Sequence, residues 1–460
     1  MHAPDDRSRR AHLREERGQA GLPPKPGAGG RHRGSFTYGL AVVGDDGAKG
    51  DAADGFFVER LVCHGRLPLV AGLDAARPAV HVWQIGPAGL QRLGVIDADA
   101  AAYPSELWEW YGSMPLVAWH PHEPSLLVTG EAGLRRWTVD GVAVVAGLPS
   151  GAGYCDVAFS PDGRSLWASP SSLLGEEVAW QRSDTLDLAT GALRTGPWWD
   201  TGVVEHPGGG LVVTLSSDQA ATDVLFARPD DGTPATMRVF RHAIVLDVDC
   251  YEAPVFSADG RYLAIRGNAY VQSLDVFEFP TMRRVLHTTL GKPYPGHPCP
   301  PEWEEEQALW SRHNIAFAAG SGVLLVGTPW GSVIVIDLEG ERAAEHRVTA
   351  APISALAVMS TGRLVVADRS GRLTVTDAPG DVSGGVRPAA AAAARERVDK
   401  YLAATTELPD GADLDASLVR NDGRRTWDFD DLETLNTADD AEPTWLRLRA
   451  AVNALRRTGE

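Results

Sequence analysis

The chain has 460 residues, of which 44% are hydrophobic and 23% are charged, and its formal net charge is −18. This apolar fraction excludes wholesale disorder, and the length corresponds to roughly two to three ordinary domains or to one repeat array with tails. No apolar run approaches the ~20 residues that a membrane-spanning helix needs, and the N-terminal region has no hydrophobic signal segment, so we expect a soluble, cytoplasmic protein. The 4 cysteines form no CxxC pair, which predicts neither disulfides nor a zinc site.

The charge is unevenly distributed along the chain. Residues 1–35 hold eight Lys or Arg and four acidic residues, a net charge of +4, so the remaining residues carry −22. The basic segment has too few large apolar residues to offset the entropy of ordering, which predicts a disordered arm. The strongly acidic remainder of the chain repels the phosphate backbone of nucleic acids, and we therefore expect no nucleic-acid ligand.

A short pattern recurs through the middle of the chain. An apolar strand is followed by an aromatic or apolar residue, by a small residue or His, and by a turn. The copies lie at 117–121, 157–164, 204–208, 254–261, 315–320 and 357–363. A weaker copy at 61–71 brings the number to seven, and the repeat length is about forty residues with insertions.

Each copy continues with a second apolar strand and then with a strand that alternates apolar and polar residues, such as 80–83 and 333–338. Alternation at period two, β-branched residues and Asp-Gly or Ser-Gly turns are typical of antiparallel meanders. Each unit is therefore predicted to be a small antiparallel sheet.

Seven such units resemble the WD-repeat type of β-propeller, and the resemblance covers roughly residues 56–380. The Gly-His pair that usually precedes the first strand is absent, and the closing Trp-Asp pair occurs only loosely. The resemblance implies an all-β, seven-bladed propeller over 36–380, between the arm at 1–35 and a helical tail at 381–460. The last blade lacks an outer strand, which either 56–61 or 35–43 could supply.

Three loops that join an outer strand to the next inner strand are longer than the fold requires, and they emerge on one face. They span 97–114, 196–200 and 291–310, and are rich in Trp and acidic residues. Aromatic anchors among carboxylates favour a cationic partner, so we predict a binding face for a basic peptide or protein segment. The alternative is that these Trp side chains cap the blades. The predicted partner-binding residues are Trp108, Glu109, Trp110, Tyr111, Trp198, Trp199, Trp303, Glu304, Glu305 and Trp310.

The sequence predicts no catalytic residue, metal site or cofactor. His120 and His122 could be combined with Glu205 and His206 into a metal site, but His residues in blade turns are expected to face solvent. The segment 187–199 is similar to the blade ending of quinone-cofactor dehydrogenases, where it repeats, but it occurs only once here.

The tail is predicted to contain a helix from Pro388 that stops before Pro409 and a second helix that starts near Pro443. The second helix is expected to carry one apolar stripe formed by Trp445, Leu448, Val452 and Leu455. These helices either dock on the propeller or recruit another protein. We therefore predict a non-catalytic interaction platform that binds a protein or basic peptide, with no role for nucleic acid or membrane. Two alternatives remain: a propeller enzyme of the quinone-cofactor dehydrogenase or hydrolase type with a central-channel site, and a structural subunit of a fixed complex.

Overall fold

The described part of the chain is mainly β, with 47% of its residues in strands and 14% in helices. A computed structural model describes residues 38–41, 48–49, 57–74, 79–87, 89–97, 116–129, 133–148, 154, 156–171, 182–217, 221–247, 251–267, 272–296, 298–320, 322–379 and 388–458. No helix within these ranges is both long and apolar enough to cross a membrane. The predicted arm at 1–35 lies outside the described residues.

Two short N-terminal strands precede seven sheets that run in chain order. The N-terminal strands are β1 (Tyr38–Ala41) and β2 (Ala48–Lys49). The first three sheets each contain four antiparallel strands. The first sheet contains β3 (Val58–Cys63), β4 (Leu69–Asp74), β5 (Ala79–Gly86) and β6 (Gly89–Asp97), and the second contains β7 (Val117–Trp119), β8 (Leu126–Val128), β9 (Arg135–Thr138) and β10 (Gly141–Val144). The third contains β11 (Asp156–Phe159), β12 (Ser165–Ser169), β13 (Arg182–Asp187) and β14 (Leu193–Pro197).

The fourth sheet is the largest, because a hairpin from the tail extends it. Its strands are β15 (Thr201–Glu205), β16 (Val212–Ser217), β17 (Ala221–Pro229), β18 (Met237–Val239), β19 (His242–Asp247), β31 (Val419–Asn421) and β32 (Thr426–Trp427). The fifth sheet contains β20 (Val255–Phe256), β21 (Tyr262–Arg266), β22 (Ser273–Glu278) and β23 (Arg283–Thr289). The sixth sheet contains β24 (Ile315–Phe317), β25 (Val323–Gly327), β26 (Ser332–Asp337) and β27 (Arg342–Arg347). The seventh contains β28 (Ile353–Val358), β29 (Arg363–Asp368) and β30 (Leu373–Asp377).

The strand that completes the seventh sheet differs from both sequence candidates. β2 pairs with β30 through Ala48 and Lys49. β1, within the candidate segment 35–43, pairs in parallel with β27 of the sixth sheet. The described part of the other candidate, 57–61, belongs to β3, where Val58 and Leu61 are buried in the first strand of the first sheet. The prediction that an N-terminal strand completes the last sheet was therefore correct, but the strand is β2 and neither of the two predicted segments.

Consecutive sheets pack face to face. Along β21, Leu263 and Ile265 face the fourth sheet, whereas Tyr262 and Ala264 face the sixth. Similar clusters join the first sheet to the second, the second to the third, the third to the fourth and the sixth to the seventh. A further cluster packs the seventh sheet against the first. Because side chains alternate along a strand, each sheet needs a neighbour on both faces to bury its apolar residues.

A buried imidazole repeats in the turns that end several inner strands. In the first, second and fourth sheets these residues are His64, His120 and His206, which are 0%, 7% and 1% exposed. The prediction that His120 and His122 face solvent was therefore wrong for His120, whereas His122 is exposed. His206 Nδ1 accepts the Gly208 N–H at 3.0 Å, and Nε2 lies 3.0 Å from Gly260 O in the next sheet.

These contacts require a neutral imidazole, because Nδ1 must be free to accept while Nε2 donates. Burial lowers the pKa of His206 to about 4, which keeps the ring neutral near pH 7. His64 is bonded in the same way to Glu123 O at 3.0 Å. Each imidazole therefore links one sheet to the turn of the next.

The tail contains α2 (Pro388–Ala404), α3 (Leu414–Ser417), α4 (Phe429–Thr434) and α5 (Thr444–Thr458), and α1 (Pro301–Leu309) lies earlier, between the fifth and sixth sheets. The two predicted tail helices, α2 and α5, are confirmed. Both dock on the sheets: Val398 and Tyr401 of α2 are buried between the fourth and fifth sheets. At the start of α5, the Asp247 carboxylate accepts the backbone N–H groups of Thr444 and Trp445 at 3.0 and 2.9 Å.

The apolar side of α5 is divided differently from the predicted stripe. Trp445 is buried against the fourth sheet. Leu448, Val452 and Leu455, which were expected to share its face, are 42%, 42% and 53% exposed. The reason is that Asn453 takes the inward position, where its side chain donates to Leu432 O at 2.7 Å.

The turn glycine opposite His206 gives a test of the interlocking turns. Gly260 has φ of +66°, and a Cβ there would lie 2.3 Å from the His206 ring. Gly191 has φ of +72° with open space around it. Gly191→Ala is expected to cost about 1–2 kcal/mol from backbone conformation alone, and Gly260→Ala about 1–3 kcal/mol more from the clash. Chemical denaturation of both variants measures the difference, and equal costs would contradict the packing described.

The docking of the tail is tested by ending the chain after residue 385. We expect the melting temperature to fall by at least about 5 °C, because large apolar side chains of the fourth and fifth sheets lose their cover. Val398→Asp should reproduce much of this loss because Val398 is 0% exposed, whereas Leu448→Asp serves as the exposed control. Unchanged melting of the shortened chain would show that the tail contributes nothing to stability.

Candidate functional site

The predicted binding residues fall into three groups. Trp108, Glu109, Trp110 and Tyr111 lie outside the described residues. Trp199 and Trp310 belong to the core, and the other four are at least partly accessible: Trp198, Trp303, Glu304 and Glu305.

Trp199 and Trp310 correct the sequence-based prediction. Trp199 is 1% exposed between the third and fourth sheets, and Trp310 is 6% exposed between the fifth and sixth. Each stands at the end of its loop, just before an inner strand, where the gap between two sheets accepts a large ring. These two side chains are therefore packing residues and not contact surface for a partner.

The accessible residues of the third loop gather on α1, a helix that the sequence analysis treated as loop. Pro301 at its first position and Glu302 and Glu304 in its first turn are the signals that could have revealed it. Trp303 packs on Tyr294 with ring centroids 5.5 Å apart, and its indole N–H points to Pro293 O at 3.1 Å. The loop is therefore held by its own aromatic side chains.

A further aromatic residue, Trp330, joins this region from the turn between β25 and β26. Its ring meets that of Trp310 edge to face at 5.5 Å, and its N–H donates to the Glu345 carboxylate. Trp330 is 47% exposed and Leu309 is 41% exposed. We call Trp303, Glu304, Glu305, Leu309 and Trp330 the α1 patch. Sequence reasoning missed Trp330 because it considered only long loops.

A second candidate site lies where the inner strands of several sheets begin. Charged side chains from the first, third, fifth, sixth and seventh sheets and from the segment before the fourth interact electrostatically there. We call this set the charge cluster, and its members are Glu59, Arg60, Asp156, Asp200, Glu252, Arg266, Arg312, His313 and Arg369.

Glu252 is the most strongly paired member. Its carboxylate lies 2.5 Å from Arg312 Nη2 and 3.5 Å from His313 Nδ1. Burial alone would raise the pKa of Glu252, but Arg312 and His313 lower it overall. Burial lowers the pKa of His313 to about 3, so its ring is neutral near pH 7.

Arg266 is a fully buried cation behind this pair. Its guanidinium is bonded to uncharged oxygens, among them Asn314 Oδ1 and Ser273 O, each at 3.1 Å. Burial lowers the pKa of Arg266 to about 9, which still leaves it charged at pH 7. Its charge is therefore available to the cluster through the field that it exerts on Glu252.

Asp156 occupies the first position of β11. Its carboxylate accepts the Gly202 N–H at 2.7 Å and the Val157 N–H at 2.9 Å. Burial raises the pKa of Asp156 to about 6, although the charge of Arg60 opposes this shift. Arg60 also acts on Glu252 and His313, so one guanidinium from the first sheet faces groups of the third, fifth and sixth sheets.

Glu59 is the most unusual residue of the cluster. β3 bulges between Val58 and Arg60, and such a bulge redirects the side chain of the extra residue. Glu59 is 7% exposed, and its Oε2 has no hydrogen-bond partner among the described residues. Burial raises the pKa of Glu59 to about 8, with Glu252 adding to the rise and Arg312 and Arg369 opposing it. The carboxyl is therefore mostly protonated at pH 7.

The charge cluster was not predicted. Of the residues expected to bring chemistry to the inner strands, Glu205 is exposed and His206 is held in its turn. Most members of the cluster instead lie at or near the start of the first strand of a sheet, and Arg266 and Arg369 lie at or just after the end of a second strand. Because these positions differ from repeat to repeat, no sequence spacing reveals the cluster. Within the described ranges, no group of three or more His, Cys, Asp or Glu side chains is arranged to hold a metal ion.

Comparison of the chain with protein-family models and with curated proteins finds no match. The two sites therefore have to be interpreted from their chemistry. The α1 patch offers aromatic surface beside carboxylates, and the charge cluster offers a mixed set of donors and acceptors in a partly desolvated place, where electrostatic interactions are strengthened.

Glu59→Gln tests the ionisation of the cluster. The pKa of Glu59 is about 8 in the folded chain against 4.5 as its ordinary value, so folding takes up a proton between these pH values and stability falls as pH rises through them. Gln does not titrate and so removes this pH dependence. The free energy of unfolding of Glu59→Gln, relative to that of the wild type, should therefore rise by up to about 3 kcal/mol between pH 4.5 and pH 7.

Chemical denaturation at several pH values measures this gain, with exposed Glu302→Gln as the control. A stability difference between Glu59→Gln and wild type that stays constant from pH 4.5 to pH 8 would mean that Glu59 is not shifted.

Proposed function

We propose that the seven sheets close into a ring, as the blades of a β-propeller similar to the WD-repeat type. The support is the cluster that packs the seventh sheet against the first, in which Ser354 Oγ also donates to Val58 O at 2.6 Å. These two sheets are separated by almost the whole array in sequence. Together with six other clusters between consecutive sheets, this contact covers the apolar faces of the first and seventh sheets at the two ends of the described array.

We further propose that the protein is a non-catalytic interaction platform and that the α1 patch binds a basic peptide or protein segment. The observation that carries this proposal is the exposure of Trp330 and Leu309 beside the carboxylates of α1. An exposed Trp supplies a large contact area, and its ring face can form a cation–π interaction with Lys or Arg. Trp therefore contributes more to binding than most residue types.

The electrostatics of the patch favour a cationic partner. Glu304 and Glu305 are exposed, and Glu345 lies against the Trp330 indole. The Lys292 ammonium forms an ion pair with Glu306 and so neutralises only part of this charge. With a net charge of −18 on the whole chain, basic segments are attracted from a distance and then held by the aromatic contact.

A second candidate function is catalysis at the charge cluster. The observation in its favour is the raised pKa of both Glu59 and Asp156, because acids shifted toward neutrality are common in active sites. The cluster has no evident nucleophile, however, and its Asp156 carboxylate is occupied by two backbone N–H groups. Binding therefore remains the function that the geometry supports best.

Trp330→Ala tests the α1 patch. We expect at least a tenfold loss of affinity for a fluorescent Arg- and Lys-rich peptide, because a central aromatic anchor contributes more than about 1.4 kcal/mol. Fluorescence anisotropy at low and physiological salt measures the change. Glu304→Gln with Glu305→Gln should instead reduce the salt dependence.

Val142→Ala is the matched control, since Val142 is also 47% exposed but lies on β10 of the second sheet. Peptide binding that is unchanged in Trp330→Ala, with folding intact by circular dichroism, would refute the role of the patch.

A further inference from the structure

The charge cluster contains a cation without a bonded partner. Arg60 is only partly exposed, and no described residue forms a hydrogen bond or ion pair with its guanidinium. Two acids on which its charge acts already have other partners: Asp156 accepts two backbone N–H groups, and Glu252 is paired with Arg312. The five N–H donors of its planar guanidinium therefore remain available to a further partner.

Glu59 is the second group with unused bonding capacity. Its side chain is more than nine-tenths buried, and Oε2 lacks a partner among the described residues. The bulge in β3 at this position gives Glu59 and Arg60 a local geometry that regular pairing would not produce. Groups with unmet hydrogen bonds in a partly dry place are expected where a ligand completes the site.

The charges of the cluster indicate what kind of ligand fits. By formal charge, the described members comprise four cations, Arg60, Arg266, Arg312 and Arg369, and three anions besides Glu59, namely Asp156, Asp200 and Glu252. Because the Glu59 carboxyl is mostly protonated at pH 7, the described members have a formal excess of one positive charge, in a chain whose net charge is strongly negative.

We propose that the charge cluster is a binding site for a single carboxylate group, which the guanidinium of Arg60 holds. Carboxylate oxygens match the two parallel N–H groups of a guanidinium. One monoanion neutralises the excess charge, whereas a phosphate dianion would leave a negative excess in a partly desolvated site. Glu59 contributes by remaining uncharged, because its ionised form would oppose the ligand.

This inference is independent of the α1 patch, since it concerns other residues and a ligand of opposite charge. The carboxylate can come from a small organic acid or from the C-terminus of a peptide, and the chemistry of the site is the same for both. Arg60 is expected to bind the carboxylate from either source, and the test compares the two sources with separate probes.

The test is isothermal titration calorimetry of the full chain at constant ionic strength and at pH 7.5, where inorganic phosphate is mostly the dianion and Glu59 is still mostly protonated. The probes are sodium acetate, inorganic phosphate, and a short uncharged peptide with either a free or an amidated C-terminus. We expect acetate, the free-acid peptide or both to bind, with affinity for acetate roughly in the millimolar range that so small a ligand allows. Phosphate and the amidated peptide should bind at least tenfold more weakly.

Variants connect the binding to named residues. Arg60→Gln should raise Kd at least tenfold, and Arg60→Lys should give an intermediate value because Lys keeps the charge but loses the planar fork. Arg136→Gln is the control, because Arg136 is paired with Glu123 in the second sheet, outside the cluster. Melting temperatures of all variants show whether they are folded.

The pH dependence gives a readout that a merely structural Arg60 would not change. In the wild type, affinity should fall as pH rises through about 8, where Glu59 ionises. In Glu59→Gln, whose side chain stays neutral, this fall with pH should disappear.

Three results would overturn the proposal: no binding of either carboxylate probe, binding of phosphate in preference to both, or binding that is unchanged in a folded Arg60→Gln variant. Peptide binding at the α1 patch would be unaffected by any of these, so the two proposals can fail separately.

Discussion

The structure depends on the mutual burial of sheet faces. Every sheet places apolar side chains on both of its faces, as Leu263 and Tyr262 do on opposite sides of β21. A single sheet of this kind cannot be stable in water, since burial of such a residue stabilises by only about 1.5–3 kcal/mol and needs a partner surface. The seventh sheet meets this requirement by packing against the first.

The same packing determines where the polar groups lie. At one end of the inner strands, buried neutral imidazoles such as His206 connect one sheet to the turn of the next. At their starts, charged residues of several sheets face one another in a partly dry space, which raises the pKa of Glu59 to about 8. The charge cluster is thus a product of the sheet arrangement and exists only if the sheets keep their order.

Much of the fold could be predicted from the sequence, because period-two alternation and the repeated turn are local signals. The rest depends on tertiary contacts. Whether Trp199 fills a gap between sheets or faces a partner depends on the width of that gap, and Ala48 pairs with the last sheet only because the array brings β30 to it. Of the candidate site, only part of the α1 patch was foreseen. The charge cluster was not, since Glu59 and Arg312 belong to different repeats at different offsets.

The contact between the first and seventh sheets is tested most directly by the distance between them in solution. Spin labels can be attached at Gly65, in the turn after β3, and at Thr361, in the turn after β28, in a chain whose native cysteines are replaced. Pulsed electron resonance should give one narrow, short distance, because packed sheets lie about 10 Å apart. A broad distribution at long distance would show that the array is open, and it would contradict both the proposed ring and the charge cluster.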